Sequence, residues 1–294
     1  MNRPLLLLIG TGTALGLNFP LGKLAMAAGV NPALWAAVIS LGAGLAMLAV
    51  SSLLDRGKPG GNPVLHFAMI SGFLSYVVPN FLTFAVIPKI GSGLAAIMFA
   101  LSPVTTAILS LLLRVRPPSA AGIFGIALGL AGALIIIVSR NGDFAGGSTF
   151  WLMLAALIPV FLGIGNVYRT MAWPAGASTI RLASMTNLAA VPPLLAVAYM
   201  LSGGLDFAPL AAIPGLVALQ LAVSTTMFLM FFRLQQLGGP TYLSQIGYVA
   251  AIVGVGIGVV FLGETYPSSV WLGAGVVALG IALTTLAQWR AARA

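Results

Sequence analysis

Ten apolar runs fill this chain, and a shift of 148 residues lays the last five on the first five almost without gaps. At that one offset Asn18 meets Asn166, Phe84 meets Phe232, Gly91 meets Gly239, Gly125 meets Gly273 and Gly132 meets Gly280. The runs predict helices over roughly 4–27, 32–54, 64–87, 91–113 and 119–139, then over roughly 149–171, 178–201, 209–236, 239–262 and 267–289. Each is long enough to cross a hydrocarbon core of ~30 Å. Lipid offers no partner to backbone N–H and C=O groups, so every run must be helical. Five crossings per copy is an odd number, which turns the second copy upside down relative to the first. The expected fold is an all-α membrane protein with ten transmembrane helices in two inverted five-helix repeats, residues 1–143 and 144–294. Inverted repeats with a solute bound between them are the architecture of secondary transporters.

Composition leaves room for little else. Of 294 residues, 60% are hydrophobic and 6% charged, with mean hydropathy +1.10, against roughly 25% charged in soluble domains. The first segment poses a signal-peptide question: Arg3, an apolar stretch from Leu5, and Ala25-Met26-Ala27 as a small-residue cleavage pattern. Its apolar run is longer than a signal core, and Asn18 has a repeat partner in Asn166, so it reads as a retained first helix. The formal charge of +9 is spread singly over loops, which speaks against nucleic acid as a partner. The absence of cysteine removes thiol catalysis, iron–sulfur clusters and disulfides. A single histidine, His66, leaves no His-based metal cluster, and no cofactor is expected.

Charge also orients the chain. With the N-terminus cytoplasmic, Arg3, Arg56, Lys58, Arg114, Arg116, Arg169, Arg181, Arg233, Arg290 and Arg293 fall inside, and only Lys23, Lys89 and Arg140 outside. The positive-inside rule then places both termini in the cytoplasm. Arg116 and Glu264 are offset equivalents of opposite charge, a difference that inversion of the second copy predicts. Glycines at 122, 125, 129 and 132, echoed by Gly273 and Gly280, mark close helix packing. Lys23 reads as a snorkelling side chain, and Arg169 and Arg181 as topological anchors.

The acids are Asp55, Asp143, Asp206 and Glu264, each in or beside a predicted loop. A carrier driven by protons or sodium usually keeps a carboxylate at membrane depth, and none is expected here. A phosphate cradle is missing, because Gly22-Lys23 is followed by Leu24. Polar and aromatic side chains at helical spacing remain: Tyr76, Asn80, Phe84 and Ile87 in the third run, with Pro79 loosening the backbone, and Met98, Ser102, Thr105 and Leu109 in the fourth, with Pro103 as a kink. The second copy offers Ser224, Phe228 and Phe232 in the eighth run, and Thr241, Gln245, Tyr248 and Ile252 in the ninth. Such faces suit a cavity with amides for a zwitterion and rings for an apolar side chain. Asn18 and Asn166 stand mid-span, as apt for a helix–helix hydrogen bond as for solute contact.

Gly16-Leu17-Asn18-Phe19, Ser102-Pro103-Val104 and Gly263-Glu264, set in two inverted five-helix copies, resemble the drug/metabolite transporter (DMT) superfamily with two EamA-type repeats. Within it the chain is most similar to the YddG-type amino-acid exporters, over essentially its whole length. The resemblance implies an inner-membrane exporter of amino acids, with a central cavity formed mainly by the third, fourth, eighth and ninth helices. Departures stand at Leu15, where the family usually has tryptophan, and at Arg114-Val115-Arg116, where Gly-Glu often stands. Ala100 and Ser102 replace aromatic residues of related exporters and imply a roomier cavity.

The expectation is a non-enzymatic secondary transporter of the bacterial inner membrane, exporting neutral amino acids (aromatic, other apolar, threonine- or methionine-like) and related metabolites or drugs by alternating access. Its substrate-binding candidates are Asn18, Tyr76, Asn80, Phe84, Met98, Ser102, Asn166, Phe228, Gln245 and Tyr248. The alternatives are a proton-coupled multidrug antiporter, with His66 as its titrating group, and a membrane-embedded lipid-modifying enzyme. Expected partners are a small-molecule substrate and the lipid bilayer, the protein being a monomer or weak homodimer.

Overall fold

A computed structural model describes residues 3–54, 62–113, 120–139 and 148–293, and its regular structure there is helical. In chain order the helices are α1 (Arg3–Ala27), α2 (Pro32–Leu54), α3 (Asn62–Ile90), α4 (Ser92–Phe99), α5 (Ser102–Leu112), α6 (Ala120–Ser139), α7 (Ser148–Met171), α8 (Thr179–Ser202), the single turn α9 (Ala208–Ala211), α10 (Pro214–Leu262) and α11 (Ser268–Arg293). Among the described residues, six stretches are long and apolar enough to cross a membrane: Pro32–Leu53, Asn62–Ile90, Ser92–Leu109, Thr149–Met171, Thr179–Ser202 and Pro214–Leu234. Shorter apolar helices cover Ala120–Gly132, Ile246–Leu262 and Ser268–Gly280, and α1 adds 25 residues.

Proline sets two irregularities that matter for the site. Pro79 has no N–H to return to Ser75, and the turn before it, Phe73–Val77, winds as a π-helix with Val78 N–H bonded to the Phe73 carbonyl. In the fourth run the helix stops at Phe99 and restarts at Ser102, just before Pro103, where a kink was expected.

The 49 residues of α10 are helical in backbone conformation but do not form one straight rod. Asn18 on α1 bonds Gln220 and Ser224, while Gly16, two residues away, lies against Ala250 and Val253. A straight helix would hold residues 220 and 253 about 50 Å apart. The chain therefore doubles back between Leu234 and Ile246, a segment that contains Gly238-Gly239-Pro240, and both arms run beside α1.

The other main pairings are α6 with α11, α2 with α8, α7 with α3 and α5, and α4 with α10. At the α6–α11 seam, a Cβ on Gly132 would overlap the Gly273 carbonyl, and one on Gly280 would overlap the Gly125 carbonyl. Moving the first pair by 148 residues gives the second. The buried core gathers around Trp35, Phe19, Met47, Ile87, Leu94, Met98, Leu152, Ile158 and Leu194, drawn from both halves of the sequence.

Candidate functional site

Between α1, α2, α3, α4 and the first arm of α10 lies a cavity of about 40 Å³, lined by Leu15, Asn18, Phe19, Ile39, Asn80, Thr83, Phe84, Phe99, Met227 and Phe228. That volume suits a few water molecules, whereas small-molecule pockets run to ~300–1,000 Å³. The polar lining of the cavity is made by three side chains. Asn18 donates to the Ala14 carbonyl at 2.7 Å and accepts from Ser224 Oγ at 2.9 Å and from Gln220 Nε2. Asn80 is half-buried. Thr83 is buried, with its hydroxyl unpartnered among the described residues.

Ring pairs flank the cavity along α3. On one side Phe19 meets Phe99 edge-to-face at 5.7 Å, with Phe84 packed against Gly22. On the other, Tyr76 meets Phe228 edge-to-face at 5.3 Å. The Tyr76 hydroxyl is buried beside the Asn187 amide, without closing a geometric hydrogen bond to it.

Beyond the Phe19 end sits a polar cluster around Glu264. Its carboxylate accepts from Lys23 Nζ at 2.6 Å, from Ser92 N–H at 2.7 Å and Oγ at 2.8 Å, from Gly93 N–H at 3.0 Å, and from the Tyr266 hydroxyl. The chain can present these two N–H groups because Gly91, with φ +90°, turns sharply into α4. Burial opposes the charge of Glu264, but the donors of Lys23, Tyr266, Gly93 and Ser92 outweigh it and hold the carboxyl down at about 2. Glu264 thus stands in the loop where it was expected, yet buried, and Lys23 is its ion-pair partner rather than a snorkelling side chain. The cluster ties α1, α4 and the α10–α11 connection together.

Beyond the Tyr76 end lies Arg169. Instead of anchoring topology from a surface loop, its side chain is buried, donating to Ser75 Oγ at 2.7 Å and to Asn166 Oδ1, with its guanidinium 6.0 Å from the Phe231 ring centre.

Of the sequence-predicted residues, Asn18, Asn80, Phe84 and Phe228 line the cavity, and Tyr76 backs it. Met98 is fully buried in the core, and Tyr248 packs half-buried against that core. The Ser102 carbonyl accepts from Thr105 and Thr106. Asn166 donates to Thr106 Oγ1 at 3.1 Å and stands apart from Asn18, with which it makes no bond. The side chain of Gln245 lies outside the described residues, as do Arg114, Arg116, Asp55 and Asp143. His66 is exposed at the start of α3. Gln220 and Thr83 were not singled out from the sequence. The signal for Gln220 was available, as an amide in mid-run one turn before Ser224.

Residues 2–138 match the profile of the EamA-like transporter family. The chain is 28% identical over 262 residues to the uncharacterized inner membrane transporter YedA of Escherichia coli K12, covering 88% of this chain and 83% of that protein. It is 32% identical over 127 residues to the WAT1-related protein At1g68170 of Arabidopsis thaliana, covering 40% of this chain and 36% of the relative. A crystal structure at 20% identity superposes with TM-score 0.65 over 95% of this chain and 96% of the other, and shows the fold alone.

Proposed function

We propose that the chain, whose residues 2–138 match the EamA-like transporter family, is a secondary transporter exporting neutral amino acids across the inner membrane. Location and transport class follow its likeness to the inner membrane transporter YedA. The observation that carries the solute class is the cavity itself, which is lined by amide and hydroxyl groups of Asn18, Asn80 and Thr83 and by rings of Phe19, Phe84, Phe99 and Phe228. An uncharged polar lining suits the backbone groups of a zwitterion, and the rings suit an apolar side chain.

The proposed mechanism is alternating access between residues 1–143 and 144–294, read as inverted repeats with both termini cytoplasmic. Exchange of the Gly132–Gly273 contact for Gly280–Gly125 under the 148-residue shift supports that reading. With that orientation, the Glu264 cluster closes the outer mouth. Opening it breaks the Lys23 ion pair and releases α4, which widens the cavity beside Phe99. Among the described residues the one buried carboxylate stands at this mouth rather than beside the cavity, so the transport reading includes no carboxylate coupling at mid-depth.

The test is counterflow in proteoliposomes with the amino acids one by one, with and without ion gradients. Exchange of apolar amino acids independent of a gradient is the expected result. Flux that vanishes with the proton gradient would replace the uncoupled mechanism by an antiporter.

A further inference from the structure

We infer that Arg169 is an anion anchor of the transport path, taking the carboxylate of the transported solute on the side of the cavity away from Glu264. The inference rests on the transport reading above and adds which group of the solute is recognised, and by what.

Among the described residues, Arg169 is a buried cation with no acid beside it. Among the described residues the acids are Asp206, exposed and capping Ala208 N–H at 2.9 Å, and Glu264, paired with Lys23. The acceptors of Arg169 are neutral, Ser75 Oγ and Asn166 Oδ1. A guanidinium carries five N–H donors, so these two bonds leave capacity for a ligand. A buried cation without a counter-ion is costly, and a solute carboxylate would relieve that cost.

A second donor converges on the same place. Tyr76, whose ring packs on the cavity-lining Phe228, has a buried hydroxyl in the electrostatic reach of Arg169, with the Asn187 amide as its other polar neighbour and no geometric hydrogen bond closed to it. Both groups can donate, so both are answered at once by a ligand that only accepts, as a carboxylate does.

Access follows from the order along α3. Ser75 precedes Asn80 by five residues, roughly 7 Å of helix rise, so the guanidinium lies about one turn beyond the cavity. The Tyr76–Phe228 pair stands between them. Parting that pair joins the 40 Å³ cavity to Arg169 and makes one longer site, with a charged end and an apolar end.

The probes are phenylalanine, phenylalaninamide and 3-phenylpropionate, and the readout is their protection of the detergent-purified chain against thermal unfolding, beside counterflow of phenylalanine. Wild type is expected to be protected by phenylalanine and 3-phenylpropionate at concentrations about tenfold or more below those needed for the amide, the scale of one charge-assisted bond. Arg169→Gln should erase that preference, and Arg169→Lys should retain part of it, which also guards against a variant that fails to fold. Equal protection of wild type by acid and amide, or a preference unchanged in Arg169→Gln, would overturn the anchor. If carboxylates protect through Arg169 while no amino acid exchanges in counterflow, the anchor stands and the amino-acid reading fails.

Discussion

Asn18 and Asn166 are equivalent at the 148-residue offset, yet their amides do different things: one holds Gln220 and Ser224 beside the cavity, the other holds Thr106 and Arg169. Substitution should separate structural from solute-facing amides. Asn18→Leu leaves buried donors of Gln220 and Ser224 without their acceptor, a cost of about 1–3 kcal/mol, and should lower both thermal stability and flux. Asn80 makes no side-chain hydrogen bond among the described residues. Asn80→Leu should therefore cut counterflow while shifting stability by no more than ~0.5 kcal/mol; equal loss of stability in both variants would refute the distinction. Glu264 gives a pH prediction at the same scale. Its carboxyl sits at about 2 against an ordinary 4.5, so its contribution to stability is complete above pH 4.5 and is lost as pH falls toward 2. The gap in unfolding temperature between wild type and Glu264→Gln should be flat from pH 5 to 8 and close below about pH 4.

At the scale of elements, the π turn Phe73–Val77 aims Ser75 and Tyr76 at Arg169 and Phe228. Pro79→Ala restores an N–H that can bond the Ser75 carbonyl, which favours regular α-helix. The variant should keep or gain stability and lose flux, because regular winding rotates Ser75 and Tyr76 relative to Asn80; undiminished counterflow would show that the π turn is dispensable. The α6–α11 seam depends on hydrogen rather than methyl at Gly280, whose Cβ would overlap the backbone of Gly129 and Gly125. Gly280→Val should reduce the yield of folded protein, whatever its effect on the cavity, since backbone cannot yield as a flexible side chain can.

For the whole molecule, the bonds around Glu264 join α1, α4 and the α10–α11 connection, so one covalent bridge there should arrest the cycle. The natural chain has no cysteine, which makes a Lys23→Cys, Glu264→Cys pair addressable in isolation. Joining the two thiols with a short cleavable reagent should abolish counterflow, and cleavage should restore it to the level of the uncrosslinked double variant. Full flux in the bridged protein would mean that this mouth does not open during transport.

Patterning carried far into this fold, because a membrane permits so few alternatives. Apolar length gave most helix bounds to within a few residues, although the runs read as the eighth and ninth helices form one helical element, α10; Pro103 marked the break between α4 and α5, and the paired glycines marked the α6–α11 seam. Asn80, Phe84 and Phe228 could be picked as cavity residues from helical spacing alone, since spacing determines which side chains share a face. Partners separated by long stretches of chain could not. Lys23 and Glu264 stand 241 residues apart, and Ser75 and Arg169 stand 94 apart; in sequence Lys23, Glu264 and Arg169 each looked like a lone charge in or near a loop. A charge at a helix end snorkels by default, and only the packing of α1 against α4, and of α3 against α7, decided that Glu264 and Arg169 are buried and that Lys23 is bonded instead. The sequence by itself determined which segments are helices and which faces are polar. The tertiary structure alone decided which polar groups satisfy one another and which, like Thr83, Tyr76 and Arg169, keep capacity for something else, because hydrogen-bond satisfaction depends on distances between helices that no local pattern encodes.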